Sequence, residues 1–318
     1  MKLLKLLPFA LLLLTNSACN RSQKKVIAVV PKGNVNEYWQ SVHAGANKAA
    51  QEAGVEIAWN GAASETDYNG QLQIVDSMIN RRVDAIVLAP IDRTSLVSVV
   101  DRATAQNIPV VIFDSGIDTD KYIAQVATDN YHAGEVAAER MGKLLKGKGT
   151  VAMVRVQPGA GSTMAREEGF RKKLETDSPG IKIVAEQFGQ ADFAKSLLVT
   201  ENMLTAHPDL DALFASNESS TVGALQALKA RKGTKVKLIG FDWSPKLADD
   251  LKAGTIDSLV VQDPFRMGYD SVKAALAKLN GQPVEKMQKL APQLVDRENL
   301  DTPDIQAKIN PDLKKYLQ

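Results

Sequence analysis

Lys25-Val-Ile-Ala-Val-Val-Pro-Lys-Gly-Asn-Val-Asn-Glu-Tyr-Trp39 begins with a continuous apolar run and ends on two adjacent aromatic residues. The run Val26–Val30 lacks polar alternation, which is typical of a strand buried on both faces of a parallel sheet. From Tyr38 to Ala53 the apolar residues recur with the period of a helix that packs on such a sheet. The stretch therefore predicts the first strand and helix of an α/β domain.

The same alternation of short apolar runs and amphipathic stretches continues along the chain. Further strands are predicted at Ala85–Leu88, Val110–Phe113, Val151–Val154, Ala212–Phe214 and Leu238–Phe241. Helices are predicted at Tyr68–Asn80, Ser95–Gln106 and Thr221–Ala230. Strands that alternate with helices indicate a doubly wound parallel sheet, which binds ligands at the carboxyl ends of its strands.

The two halves of the chain repeat each other at a nearly constant separation. The matched positions are Asp84–Pro90 with Asp211–Asn217, Asp114 with Asp242, and Gly45 with Gly169. Three matched pairs indicate two similar α/β lobes rather than chance. A length of 318 residues is also more than one small domain needs. Two such lobes side by side turn their strand ends toward a shared cleft, which is a ligand site.

Composition excludes several classes of function. The formal net charge of +2 argues against a nucleic-acid binder that works through a large basic face. One cysteine permits no intramolecular disulfide and no cysteine-based zinc or iron–sulfur site. The three histidines, His43, His132 and His207, never occur at ligand spacing. The sequence therefore predicts neither a metal nor a cofactor.

Residues 1–18, MKLLKLLPFALLLLTNSA, have the basic start, apolar run and small residues of a secretory signal peptide. Ser17 and Ala18 before Cys19 resemble a lipobox, in which the cysteine is acylated, although Asn16 stands where that motif usually carries Leu. The alternative is simple cleavage near Cys19, which leaves a free thiol. We expect an exported protein of the periplasm or cell envelope, anchored to lipid through Cys19.

Polar and aromatic side chains follow the predicted strands, where they would line the cleft. They are Asn36, Tyr38, Trp39, Asp114, Arg166, Phe193, Asn217, Asp242 and Gln262. Aromatic rings stack on the C–H faces of a sugar, and carboxylate, amide and guanidinium groups bind its hydroxyls. This set therefore predicts a monosaccharide or a similar polyol as the ligand.

Each of these residues also has a structural interpretation. Tyr38 and Trp39 could be core residues that cover the sheet, and a strand-end Asp could cap the following helix. Arg166 could form a surface ion pair, which stabilises little. The turn Gly159-Ala-Gly161 lacks the third glycine of a dinucleotide-binding loop. No nucleophile elbow occurs, and no Ser or Cys stands with a His in a recognisable local motif, so we expect no catalytic residues and no enzyme.

From about Lys24 to about Asn299 the chain resembles periplasmic sugar-binding proteins of the ribose-binding type, a type I, LacI-like family of ABC importer receptors. The stretches that carry the resemblance include Asn36-Glu-Tyr-Trp39, Ile108-Pro-Val-Val-Ile-Phe-Asp114, Arg166-Glu-Glu-Gly-Phe170, Phe214-Ala-Ser-Asn-Glu218, Gly240-Phe-Asp242 and Gln262-Asp-Pro264. The resemblance implies two Rossmann-like lobes that close over one monosaccharide. It assigns stacking to Tyr38, Trp39 and Phe193, and a polar grip to Asn36, Asp114, Arg166, Asn217, Asp242 and Gln262.

The resemblance also implies three crossover segments between the lobes, near Thr128-Asp129, Gln262-Asp263 and Ala291-Pro292. The N-terminal lobe would then contain residues 24–128 and 263–291, and the C-terminal lobe residues 129–262 and 292–318. We expect the tail from Asp296 onward to pack along the second lobe. The implied partner is an ABC permease in the membrane, with the receptor itself monomeric.

Two departures from the ribose type put ribose itself in doubt. Ser115 stands where ribose receptors usually carry Arg, and Trp39 is bulkier than their usual Phe. Other classes of function also remain open at this point. A sensory receptor of the same fold would present a sugar-like signal to a membrane partner. A LacI-like regulator would need a helix-turn-helix where this chain has its leader, and an enzyme would need a catalytic constellation.

Overall fold

The computed structural model describes residues 24–34, 36–231 and 233–317, so the leader and Cys19 lie outside the described residues. The strands of this part of the chain are β1 (Val26–Val30), β2 (Glu56–Trp59), β3 (Ala85–Leu88), β4 (Val110–Phe113), β5 (Ala124–Thr128), β6 (Lys148–Arg155), β7 (Gly180–Phe188), β8 (Ala212–Ala215), β9 (Lys237–Phe241), β10 (Ser258–Val261), β11 (Met287–Leu290) and β12 (Gln293–Val295).

The helices alternate with these strands along the chain. They are α1 (Glu37–Ala53), α2 (Tyr68–Asn80), α3 (Val97–Ala105), α4 (Asn130–Leu144), α5 (Gly161–Asp177), α6 (Phe193–Ala206), α7 (Glu218–Ala230), α8 (Pro245–Ala253), α9 (Pro264–Leu279) and α10 (Pro303–Ile309). Among the described residues, no helix is long and apolar enough to cross a membrane.

The strands form two sheets of six. The first has the order β11-β5-β4-β3-β1-β2 and is parallel throughout. The second has the order β12-β10-β9-β8-β6-β7, and only its pairing of β10 with β12 is antiparallel. Apolar side chains on both faces of each sheet pack against helices. The predicted α/β architecture of two doubly wound sheets is confirmed.

The sequence repeat corresponds to a repeated helix crossing. In the first lobe α1 crosses α9 at Gly45, and in the second lobe α5 crosses α4 at Gly169. A Cβ at Gly45 would collide with the carbonyl oxygen of Phe265, and one at Gly169 with that of Tyr131. Glycine is needed at both positions because only it lets the two backbones approach so closely.

The chain passes from one sheet to the other after β5, after β10 and between β11 and β12. The tail then packs on both lobes. Ile305 and Ile309 of α10 are buried in the core of the second lobe. Beyond α10, the backbone carbonyl of Tyr316 accepts a hydrogen bond from Asn47 of α1 at 2.7 Å, and the Tyr316 ring lies 5.7 Å from that of Phe265.

The expectation that the tail packs along the second lobe is confirmed for α10, and the residues beyond it also contact the first lobe. The last residues of the tail return to the first lobe because the ring of Tyr316 finds an aromatic partner there, and because Asn47 on α1 satisfies a backbone carbonyl. This return makes the tail a further connection between the lobes, beside the three passages of the chain between the sheets.

Candidate functional site

Asp114 and Asp242 stand directly after β4 and β9, at equivalent places in the two lobes. Their φ angles are 60° and 68°, in the left-handed region that side-chain-bearing residues rarely adopt. Such strain is found mainly where function requires a particular geometry. Here it places one buried carboxylate from each lobe at the carboxyl ends of the strands, on the two sides of the cleft.

A cavity with an empty volume of about 320 Å³ lies between these two aspartates. Eight of the nine side chains predicted from the sequence line it: Asn36, Tyr38, Trp39, Asp114, Arg166, Asn217, Asp242 and Gln262. They come from both sheets, so the cavity exists only because the two lobes face each other. The structure thus brings together residues that are more than two hundred positions apart.

Arg166 is 2% exposed and is held on three sides. Its Nε donates to the Asn130 side-chain oxygen at 2.8 Å, its Nη1 donates to the Ser216 carbonyl at 3.0 Å, and its guanidinium lies 3.9 Å from the ring centre of Phe241. Its Nη2 is buried and has no hydrogen-bond partner among the described residues. The interpretation of Arg166 as a surface ion pair is wrong, and a charged donor is left over at the cavity wall.

Asp242 is fixed by two donors of its own lobe. The Gln262 side-chain amide donates to Asp242 Oδ1 at 2.7 Å, and the backbone N–H of Glu218 donates to Oδ2 at 2.9 Å. The N-cap of the following helix α8 is Ser244, so Asp242 does not cap that helix. Burial raises the pKa of Asp242 above its usual value, although Arg166 opposes this.

Asp114 has a lysine beside it instead. Lys32 Nζ lies 2.5 Å from Asp114 Oδ2, and the hydroxyl of Tyr38 donates to Oδ1 at 2.7 Å. Burial favours a higher pKa for Asp114, but Lys32 and then Arg166 outweigh it, so the pKa is lowered. Lys32 is almost completely buried at the end of β1 and was not predicted as a site residue. Its position two residues after the first strand was the available signal.

Glu65 and Glu218 also line the cavity and were missed by the sequence analysis, as were Ser162 and Thr163. Glu65 accepts from Trp39 Nε1 at 2.8 Å, and burial raises its pKa. Burial and the neighbouring Asp242 raise the pKa of Glu218 to about 8. Oε2 of Glu218 is buried without a hydrogen-bond partner in the described part of the chain.

The aromatic pair at the start of α1 belongs both to the core and to the cavity wall. Tyr38 and Trp39 are buried and meet edge to face with ring centres 4.8 Å apart, and Trp39 meets Phe113 in the same way at 6.2 Å. Packing against Phe113 fixes the Trp39 ring, so it presents a rigid apolar surface to the cavity. The core interpretation and the ligand interpretation are therefore compatible here.

Asn217 also has two functions, because its side-chain oxygen caps α7 by accepting from the Ser220 N–H at 2.9 Å while the residue lines the cavity. Phe193 does not join the other eight. Asp192 caps α6 and starts the helix at Phe193, whose ring is 37% exposed and is not among the described residues that line the cavity.

Direct contacts between the lobes surround the cavity. Lys32 donates to Ser115 at 2.6 Å and, across the cleft, to Ser162 at 3.1 Å. On another side the Gln157 amide donates to the Glu65 carbonyl at 2.7 Å. Ser115 Oγ also donates to Ser162 Oγ at 2.8 Å, so Ser115 belongs to an interlobe contact. These contacts shield the cavity from bulk water, which strengthens the hydrogen bonds made inside it.

The charges of the cavity do not form a metal site. Among the described residues there is no group of three or more His, Cys, Asp or Glu side chains that could hold a metal ion. Instead Lys32 and Arg166 lie near Asp114 and Asp242, and burial raises the pKa of the two further carboxyl groups, Glu65 and Glu218. Alternating cations and carboxylates around a small cavity suit an uncharged ligand with many hydroxyl groups.

A sequence profile described as the periplasmic binding protein domain matches residues 27–283. The chain belongs to the periplasmic binding protein family. The ribose import binding protein of Bacillus subtilis (strain 168) is 32% identical to it over 252 residues, which are 79% of this chain and 80% of that relative. The resemblance to the ribose-binding type is thereby confirmed.

Solved structures of this family are similar over almost the whole fold. A solute-binding protein of Agrobacterium radiobacter in complex with D-arabinose has a TM-score of 0.87 and 37% identity, and the match covers 90% of this chain and 99% of that one. One of Agrobacterium vitis with bound D-fucose has a TM-score of 0.86 and 35% identity over 89% and 99% of the two chains. The periplasmic binding proteins that this chain resembles therefore hold different sugars.

Proposed function

We propose that the protein captures a monosaccharide or a similar polyol between its lobes and delivers it to an ABC importer. The observation that carries the proposal is Nη2 of Arg166, a buried charged donor at the wall of the interlobe cavity that has no hydrogen-bond partner among the described residues. A buried donor left unpaired is costly, and a ligand hydroxyl would satisfy it. The sugar-bound relatives and the ribose import relative support this assignment.

The other polar groups of the cavity would hydrogen-bond further hydroxyls of the ligand. Asp114 and Asp242 would accept from the ligand, since their carboxylates stand on opposite sides of the cavity. Asn36, Asn217 and Gln262 carry amides that can donate and accept at once. Trp39 and Tyr38 would stack on the C–H face of the ring. A flat ligand with a polar rim and apolar faces matches this arrangement.

The binding cycle depends on the two lobes, for which we propose the boundaries 24–128 plus 263–291 and 129–262 plus 292–318. The open form would admit the sugar, and the closed form would contact it from both sides and so be favoured by it. The permease would then bind the closed form. Interlobe contacts such as Lys32 to Ser162 would form on closure.

Calorimetry on a single arginine tests this proposal. A thermal-shift screen against pentoses, hexoses and polyols identifies the ligand, because a sugar that binds only the folded state raises the melting temperature. Arg166→Lys should then lose about 10- to 100-fold in affinity, since lysine cannot reach Asn130, Ser216 and the ligand together. Arg171→Lys on the same helix, where Arg171 pairs with Glu186, is the matched control. Equal affinity in both variants would remove Arg166 from the site.

We further propose that the protein is exported and anchored in the cell envelope through an acylated Cys19, which lies outside the described residues. Mass spectrometry of the mature N-terminus tests this part separately. A diacylated residue 19 is expected, and Cys19→Ala should abolish it. A mature chain that begins elsewhere, or that carries a free thiol, would contradict the anchor and leave the sugar site untouched.

A further inference from the structure

A second cavity adjoins the sugar cavity on the side of the C-terminal tail. Its empty volume is about 740 Å³, against about 320 Å³ for the first. Tyr38, Asp242 and Gln262 line both cavities. The second cavity therefore begins at the groups that we assign to ligand hydroxyls.

The walls of the second cavity differ in chemistry from those of the first. Trp243 and Pro245 come from the connection between β9 and α8, and Pro264 begins α9. Pro311 and Leu313 come from the tail after α10. The wall also includes Glu37, Ser41, Lys308 and Asn310, but most of its surface is apolar, unlike that of the first cavity. An apolar group of a ligand would therefore bury more apolar surface there than a second sugar ring.

One polar group in this wall is unsatisfied. The indole Nε1 of Trp243 is buried and has no hydrogen-bond partner in the described residues. An indole N–H usually finds a partner when it is buried. A ligand oxygen that reaches Trp243 would supply an acceptor, while the apolar faces around it would pack against a hydrophobic group.

We propose that the protein binds glycosides, with the sugar in the first cavity and an apolar aglycone in the second. This inference rests on the proposed function and adds the class of ligand to it. Asp242 and Gln262 hydrogen-bond each other at 2.7 Å where the cavities adjoin, so the substituted hydroxyl of the sugar would lie beside this pair. The tail supplies part of the second cavity, and its anchorage on Asn47 and Phe265 keeps that wall in place.

The test compares free sugars with their glycosides by calorimetry. The probes are the sugar that the thermal-shift screen identifies and the methyl and phenyl glycosides of both its anomers. The phenyl glycoside of one anomer should bind at least about tenfold more tightly than its parent sugar, because its ring is removed from water. The methyl glycoside should gain less.

Two variants test whether the phenyl group binds in the second cavity. Ser41→Leu on α1 fills the second cavity and should bring the affinity ratio of phenyl glycoside to free sugar down to about one. Ser77→Leu, an exposed serine of α2, is the control and should keep the wild-type ratio. Should Ser41→Leu fail to fold, Leu313→Ala removes an apolar wall and should lower the ratio several-fold.

The outcomes separate this inference from the proposed function. Tight binding of free sugars, with glycosides bound more weakly or not at all, overturns the glycoside assignment and leaves sugar capture standing. A wild-type ratio in both Ser41→Leu and Leu313→Ala overturns the assignment of the aglycone to the second cavity. If no sugar or polyol of the screen binds and no glycoside binds, both the inference and the proposed function are wrong.

Discussion

Asp114 and Asp242 occupy the same place in the two lobes and have nearly the same strained backbone, yet their carboxyl groups behave in opposite ways. Lys32 beside Asp114 overcomes the effect of burial and lowers its pKa. No lysine of the described residues pairs with Asp242, and burial raises its pKa. Duplication of a fold therefore repeats the position of a functional group without repeating its charge.

The two halves of the site therefore differ in the pKa of their aspartate, which is lowered in the first lobe and raised in the second. In the first lobe Lys32 lowers the pKa of Asp114 and so favours its charged carboxylate. In the second lobe burial and the neighbouring Asp242 raise the pKa of Glu218, and burial raises the pKa of Asp242. A neutral carboxyl group can donate a hydrogen bond, so the second lobe can offer donors and acceptors to a sugar, whereas Asp114 only accepts.

The same substitution, Asp to Asn, made at each of the two aspartates tests this difference between the lobes most directly. Asp114→Asn leaves Lys32 buried without its partner and should lower the free energy of unfolding by about 3–5 kcal/mol. Asp242→Asn resembles the protonated acid and removes no ion pair, so it should cost about 1 kcal/mol. Urea denaturation of both variants without ligand at pH 7 measures this. Equal losses would mean that the two lobes do not differ in charge.

The second prediction concerns the pH dependence that Glu218 gives to stability. Its pKa of about 8 in the folded protein exceeds the usual 4.5, so the folded state binds this proton more tightly than the unfolded state does. The stabilisation is complete below about pH 4.5 and is lost as the pH rises toward about 8. The slope is at most about 1.4 kcal/mol per pH unit for one proton.

Glu218→Gln should remove this contribution, so the decline in free energy of unfolding between pH 5 and pH 8 should be about 3 kcal/mol smaller than in the wild type. Denaturation of the ligand-free protein at several pH values measures it. The exposed Glu168→Gln serves as the control and should follow the wild-type curve. Parallel curves for Glu218→Gln and wild type would show that Glu218 is ionised in the folded protein.

The third prediction concerns the aromatic surface of the first lobe. Trp39→Phe reduces the aromatic area available for stacking and removes the hydrogen bond from Nε1 to Glu65. Sugar affinity should therefore fall about 3- to 10-fold. Trp59→Phe is the matched control, because Trp59 also donates through Nε1, to Asn34, and stacks on His43 outside the cavity. A control that weakens binding as much as Trp39→Phe does would point to a general loss of stability.

The extent to which the fold could be predicted follows from where each strand lies in its sheet. Central strands such as β3 and β4 are continuous apolar runs because helices cover both faces. The edge strand β2 (Glu56–Trp59) is partly exposed. Its run of apolar residues is shorter than the runs of the central strands, so it was not predicted. The helix α7 begins at Glu218, three residues before the predicted start, because Asn217 caps it.

The site was predictable where it follows a strand end and not where it depends on distant partners. Asp114 and Asp242 directly follow apolar runs, and this position indicated them. Lys32 is an ordinary surface residue type, and only its pairing with Asp114, far along the chain, makes its burial tolerable. Glu65 follows the strand β2 that the pattern missed, so nothing local marked it as part of the cavity.

The last prediction concerns Phe193, the aromatic residue that the family resemblance assigns to the second lobe. Phe193 is 37% exposed at the start of α6 and is not among the described residues that line the cavity, whereas Trp39 of the first lobe lines the cavity and is almost completely buried. Phe193→Ala should therefore lower sugar affinity by less than about twofold, with Leu198→Ala, another exposed residue of α6, as the control.

Calorimetry decides between two arrangements of the site. A loss of about tenfold for Phe193→Ala alone would mean that its ring turns onto the sugar when the ligand binds, and that each lobe contributes an aromatic face. A loss within twofold for both variants would mean that stacking comes from the first lobe, while the second lobe recognises the sugar through Arg166, Asn217 and Asp242.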